Sequence, residues 1–203
     1  AVAPKLAAQD DAIFLNPALF KRVETIHARR GELQLDPESS RLVEYYYRRF
    51  VRSGARLSDA DKIKLRALNE QDASLSARYI SLLLAAAKNA ALVAGSAEEL
   101  AGLSNDELEA AALAAKSRGL DGKWLVPLVN TTQQPVLPSL QNRATRERLF
   151  RASWTRTELG DANDTRQIIA TLAELRARKA GLLGFPSYAA WVLEDQMAKT
   201  PSA

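Results

Sequence analysis

Apolar residues recur three, four and seven positions apart along most of the chain, the spacing that lines one face of an α-helix. The clearest stripe is Leu65, Leu68, Leu75, Tyr79, Leu82, Ala86 and Ala90. Ser58, with Asp61 three residues on, supplies a start signal, and no Gly or Pro follows until Gly95. A single long helix is therefore predicted inside Ser58 to Ala94, about 36 residues or roughly 54 Å at 1.5 Å per residue. Asn16 before Pro17 and Asp36 before Pro37 are N-caps with proline in the first turn; Gly31 is expected to close the first helix in the left-handed conformation, and Gly54 to close the second. Leu42, Tyr45, Tyr46 and either Phe50 or the Arg49 stem are assigned to the inner side of the second.

The pairs Ser96 with Glu99 and Ser104 with Glu107 are capping-box patterns, predicting a short turn and then a helix that Gly119 ends. Between Gly122 and Pro138 the texture changes. Lys123 to Val129 reads as a short extended segment, confined to an edge or an irregular stretch because Pro127 has no N–H to give to a ladder, and Thr131 to Pro138 reads as a loop. Helical spacing returns from about Ser139 to Leu159, and again from Asp164 with Ile168, Leu172, Leu175 and Leu182 on one face until Gly184 and Pro186. Ser187 caps a last helix to about Ala198. The fold class predicted is all-α: a multi-helix array with long antiparallel helices and one extended or strand segment near 123–130. Val2, Leu6 and Ile13 already have helical spacing, and Thr200-Pro201-Ser202 is a start signal with only Ala203 after it, so residues 1–203 are expected to be one helical piece truncated at both ends.

With 47% apolar and 26% charged residues, the 203-residue chain has the balance of a globular protein able to form a core. The apolar run Leu82 to Ala87 is far short of the roughly 20 residues a membrane-spanning helix needs, and no membrane partner is expected. The 28 basic and 24 acidic residues are spread along the chain rather than gathered on one face, so nucleic acid is not expected as a partner. Cysteine is absent, which removes disulfide and thiolate chemistry. A cytoplasmic location is expected, with the periplasm as the alternative.

Candidate chemistry is sparse. Hydrolytic zinc sites take several His or carboxylate ligands, commonly two His one helical turn apart. Here His27 stands alone, so no metal ligand is assigned, and His27 is read as a packing or surface residue. No Gly-x-Ser-x-Gly elbow and no phosphate-binding glycine loop occurs, and no catalytic residue is assigned. The acidic pairs Asp10-Asp11, Glu98-Glu99, Asp106-Glu107 and Glu194-Asp195 are expected near helix ends or facing solvent. Arg143, Arg146, Arg148 and Arg151 alternate with Glu147 in the pattern of structural ion pairs. Of Tyr45, Tyr46 and Tyr47, at most two can share a buried helix face. Asn130-Thr131-Thr132 and Asn163-Asp164-Thr165 match glycosylation sequons, relevant only in a secretory pathway.

Leu128-Val129-Asn130-Thr131-Thr132-Gln133-Gln134-Pro135-Val136-Leu137, followed by Asn142 to Arg148, resembles the zinc oligopeptidase family of thimet oligopeptidase, neurolysin, oligopeptidase A and the bacterial peptidyl-dipeptidases. The resemblance continues through Leu175-Arg176-Ala177-Arg178-Lys179-Ala180-Gly181-Leu182-Leu183-Gly184-Phe185-Pro186 and Glu194-Asp195-Gln196-Met197-Ala198. Ala3 to Ala8 and Ile13 to Phe20 look most like the peptidyl-dipeptidase branch. Thr165 after Asp164, and the strongly apolar Tyr79 to Ala87, depart from the family pattern. The resemblance implies a mostly helical, two-lobed enzyme that hydrolyses short peptides in a deep channel at a zinc bound by His-Glu-x-x-His and a further Glu, releasing C-terminal dipeptides in this branch. None of those residues has a counterpart here. The chain is thus expected to be scaffold, and in part channel wall, from the non-metal-binding part of such an enzyme; its partner is the missing catalytic lobe, and zinc belongs to the parent protein. Which residues would touch substrate is left open. The alternative is a helical interaction or sensor module without enzymatic role; a third class, an RNA-binding helical domain, would use Arg143 to Arg151.

Overall fold

The computed structural model describes residues 2–129 and 134–203; of the expected features, the sequon at Asn130, the end of the 123–130 segment and the start of the 131–138 loop lie outside them. In chain order the elements are α1 (Ala3–Phe14), α2 (Pro17–Ala28), α3 (Pro37–Arg52), α4 (Asp59–Asn89), β1 (Ala91–Ala94), a 3₁₀ turn (Ala97–Leu100), α5 (Asn105–Ser117), β2 (Trp124–Pro127), α6 (Arg143–Thr155), α7 (Arg166–Leu182) and α8 (Tyr188–Leu193). The fold is mostly α-helical. The chain divides into two compact units, residues 1–77 with 170–203, and residues 78–169.

In the first unit, Asn16 and Asp36 act as the start signals predict. The Asn16 side chain accepts from the N–H groups of Ala18 and Leu19, at 3.0 Å each, and the Asp36 carboxylate accepts from Ser39 N–H at 2.9 Å. Gly54 closes α3 at φ +95°. Gly31 does not take the left-handed role assigned to it: α2 ends at Ala28, and the positive φ of this connection falls on Gln34 at +47°. The core is aromatic. Phe14 meets Phe50 edge-on at 5.1 Å between centroids, and Phe20 lies 5.9 Å from Phe50 and 6.2 Å from Tyr47. This geometry corrects the inner face of α3. Phe50 is buried as expected, but Leu42, Tyr45 and Tyr46 are exposed, and the positions turned inward are Tyr47 and Val51, because α2 meets α3 through Phe20 and Val23. The last helix, α8, stops at Leu193 rather than near Ala198, and Glu194 and Asp195 just beyond it are ion-paired to Arg52.

In the second unit, Leu92, Ala94, Leu100, Val126, Leu140 and Leu149 form one buried cluster. The long helix predicted inside Ser58 to Ala94 is α4, which ends at Asn89 short of that full span, and Ala91–Ala94 is a strand antiparallel to β2, Leu92 opposite Val126 and Ala94 opposite Trp124. Alanine and leucine have helical propensity, but burial of Leu92 and Ala94 against the second strand outweighs it. Each strand of this pair is an edge, which accommodates Pro127. Ser104 and Glu107 form the capping box of α5, whereas Ser96 makes no cap bond and Glu99 instead accepts from Gly95 N–H at 2.8 Å. The helix expected from Ser139 begins at Arg143, capped by Asn142, and ends at Thr155 rather than Leu159; Gln141 N–H is drawn to the carbonyl of Ala101 at 2.8 Å, so the residues before the cap are held out of the helix. The following helix begins at Arg166, not Asp164, whose side chain accepts from Arg166 N–H at 3.0 Å.

Gly102 is required by the backbone. Its φ is +102°, and a Cβ there would lie 1.9 Å from the carbonyl oxygen of Ser139.

Candidate functional site

The first unit contains a cavity of about 430 Å³ whose wall alternates in charge. Asp11 on α1, Asn69 and Asp72 on α4, and Arg176 and Lys179 on α7 meet there. Helical spacing explains the arrangement: Asn69, Asp72 and Ser76 are three and four residues apart on one face of α4, as are Arg176 and Lys179 on α7.

Asp11 is buried, and Asn69 Nδ2 donates to its carboxylate at 2.7 Å. Burial pushes the Asp11 carboxyl above the ordinary range; the Asn69 hydrogen bond, Lys179 and Arg66 oppose that shift without cancelling it. The Asp72 carboxylate accepts from Arg176 Nη2 at 3.1 Å and from the Ser76 hydroxyl at 3.1 Å. Lys179 lies over the Trp191 ring at 4.9 Å, and burial pushes its ammonium below the usual lysine range while Asp72 and Asp11 pull it back. Arg52 on α3 pairs with Glu194 and, at 2.9 Å, with Asp195; its Nη2 donates to the Trp191 carbonyl at 2.8 Å, and Trp191 Nε1 donates to the Arg52 carbonyl at 3.2 Å. These contacts tie α1, α3, α4, α7 and α8 together through charge. Of these acidic pairs, Asp11 departs from a solvent-facing role, being buried while Asp10 is exposed; Glu194 and Asp195 stand just past the end of α8, as expected, and there hold Arg52.

His27 lies outside this cavity. Its Nε2 is 2.8 Å from a Glu44 carboxylate oxygen, and its ring stacks on Tyr47 at 3.7 Å and 4°. This is a packing role, with one hydrogen bond and one stacked ring. Among the described residues, no group of three or more His, Asp or Glu side chains is placed to hold a metal ion.

Arg146, Arg148 and Arg151 of α6 in the second unit are engaged structurally. Arg148 donates to Glu99 and to the carbonyl of Val93, Arg146 donates to the carbonyls of Leu140 and Gln141 at 2.6 and 2.8 Å, and Arg151 pairs with Glu147 at 2.9 Å. Gln134, in the stretch that carries the family resemblance, is buried and donates to Ser153 Oγ at 2.9 Å while accepting from Val129 N–H at 2.9 Å. Asn163 of the second sequon lies in a turn where its N–H donates to Asp161. Among the described residues, no helix is long and apolar enough to cross a membrane.

Residues 136–203, which include α6, α7 and α8, match the model of peptidase family M3. Together with similarity over the whole length, this makes the chain part of peptidase family M3. Dipeptidyl carboxypeptidase of Escherichia coli is 54% identical over 199 residues, which is 98% of this chain and 29% of that protein. The Salmonella typhimurium protein of the same name is 51% identical over 203 residues, 100% of this chain and 30% of that protein. A probable cytosolic oligopeptidase A of Arabidopsis thaliana is 31% identical over 175 residues, 83% of this chain and 25% of that protein. The chain thus spans less than a third of the length of these relatives.

Proposed function

We propose that this chain is the helical, non-metal-binding segment of a larger zinc peptidase that hydrolyses short peptides and releases dipeptides from their C-terminal end. The observation that carries the reading is the 54% identity to a dipeptidyl carboxypeptidase over 98% of the chain, with the match confined to 29% of that relative. Zinc, its ligands and the reacting groups are assigned to the remainder of the parent protein. Support for that division comes from a single His in 203 residues, held by Glu44 and Tyr47.

On this reading the residues described above hold walls in place. The Asp72–Arg176 pair, the Asp11–Asn69 bond and the Arg52 network fix helices of the first unit; in the second, Arg148 ties α6 to β1 and Gln134 ties its loop to α6. The partners proposed are the catalytic lobe of the same protein and, for the whole enzyme, short peptides, with no nucleic acid or membrane. The cytoplasm is the proposed compartment and the periplasm the alternative, which fractionation distinguishes.

The test is metal analysis and peptide turnover of the 203-residue chain. Dialysed protein is expected to hold no more zinc than a His-poor control and to leave short peptides intact. Stoichiometric zinc, or turnover that survives repurification, would overturn the assignment.

A further inference from the structure

The first unit has a second concavity, of about 320 Å³, on the side of α1, α2 and α3 where the aromatic core comes to the surface. Its wall is apolar throughout. Ile13, Leu19, Ile26, Leu42 and Tyr46 are each 37 to 54% exposed while lining it, and Phe50 forms part of its floor. Contiguous apolar surface of this kind is uncommon on a free-standing protein and marks a covered face. Two exposed basic residues neighbour its α2 wall in sequence: Arg22 stands three residues from Leu19 and four from Ile26, and Arg30, just past the end of α2, stands four from Ile26.

Two features select the occupant. The surface is concave, and a two-fold contact would set the groove against its own copy, leaving the hollow unfilled; a convex ridge is needed. Relatives that match this chain along 98 to 100% of its length are more than three times as long, so the polypeptide that could supply a ridge is at hand in them. We propose that this groove is the seat of an amphipathic helix from the remaining part of the parent peptidase, with aliphatic or aromatic side chains at i, i+3, i+4 and i+7 in the groove and an acidic residue on the flank toward Arg22 and Arg30. This rests on the proposed function above and adds which face of the segment the catalytic lobe covers.

The test uses two proteins: the 203-residue chain alone, and Escherichia coli dipeptidyl carboxypeptidase in which the matching 199-residue segment is replaced by this chain. Leu42→Glu and Ile26→Glu are made in both. In the isolated chain both side chains face water, so melting should move by no more than about 1 °C, whereas in the chimera a charge would be forced under a docked helix and melting should fall by about 5 °C or more. Hydroxyl-radical labelling should modify Tyr46 and Ile26 in the isolated chain and spare them in the chimera. Equal small shifts in both proteins, with Tyr46 labelled in both, would show the groove open in a folded parent and overturn this inference while leaving the proposed function standing. A chimera that does not fold, although the native enzyme does, would count against both. Self-association of the isolated chain that Leu42→Glu abolishes, with the chimera unaffected, would assign the groove to a second copy and overturn the proposal.

Discussion

The Asn69 side chain on α4 donates to the Asp11 carboxylate on α1 at 2.7 Å, joining the two helices through residues 58 apart in sequence. Asp11 is buried, and its carboxyl holds its proton to a higher pH in the folded chain than the ordinary 3.8. The sign of the linkage follows. Its contribution to stability is greatest below 3.8 and declines as pH rises through the folded-state value, because the folded chain then carries a charge it solvates poorly. Asp11→Asn keeps the shape and an acceptor for Asn69. By urea unfolding, the variant should match or exceed the native chain by up to about 1 kcal/mol at pH 7, and the gain should shrink as pH is lowered toward 4. A loss at pH 7 would show that attraction to Lys179 and Arg66 outweighs burial.

Breaking the Asp72–Arg176 pair from one side should hurt more than removing it whole. The Asp72 side chain is only 15% exposed and also accepts from Ser76. Arg176→Met leaves that carboxylate without its cation and should destabilise by about 2 kcal/mol, whereas adding Asp72→Leu should recover part of the loss. A double-mutant cycle by urea unfolding checks this; strictly additive losses would remove the pair from the account.

Two glycines with positive φ separate backbone strain from collision. At Gly119, φ +71°, a Cβ would meet nothing within 4 Å, and Gly119→Ala should cost about 1 kcal/mol. At Gly102 the same substitution drives a methyl group into the Ser139 carbonyl, and a loss of about 3 kcal/mol or more is expected. Comparable melting temperatures for the two variants would contradict the geometry at Gly102.

Much of the helical outline is legible because caps are local chemistry. Asn16, Asp36, Ser104 and Ser187 each bond the N–H groups that helix starts leave unpaired, and their side chains identify them in the sequence. What is not legible is decided by distant partners. Ala91 to Ala94 continues a helical pattern, and only pairing with Trp124 to Pro127 makes it a strand. On α3, Leu42, Tyr45 and Tyr46 have the composition of an inner face, yet the position of α2 turns Tyr47 and Val51 inward instead. The charged cavity is hidden for the same reason. Asp11 looks like half of a surface pair, and its burial depends on Asn69 and Lys179, far along the chain. The presence of a single His, by contrast, is visible in the sequence at once.

The central claim is that this chain is a working segment of a dipeptide-releasing peptidase whose zinc ligands lie elsewhere, and the most direct measurement is turnover by the Escherichia coli chimera. Replacing the matching 199 residues with this chain changes just under half of the side chains in that segment and, on this account, none that reacts. The chimera should bind about one zinc per molecule and release C-terminal dipeptides with kcat within about tenfold of the native enzyme, since the groups that stabilise the transition state are unchanged. A chimera that folds and holds its zinc, yet releases no dipeptide, would contradict the account.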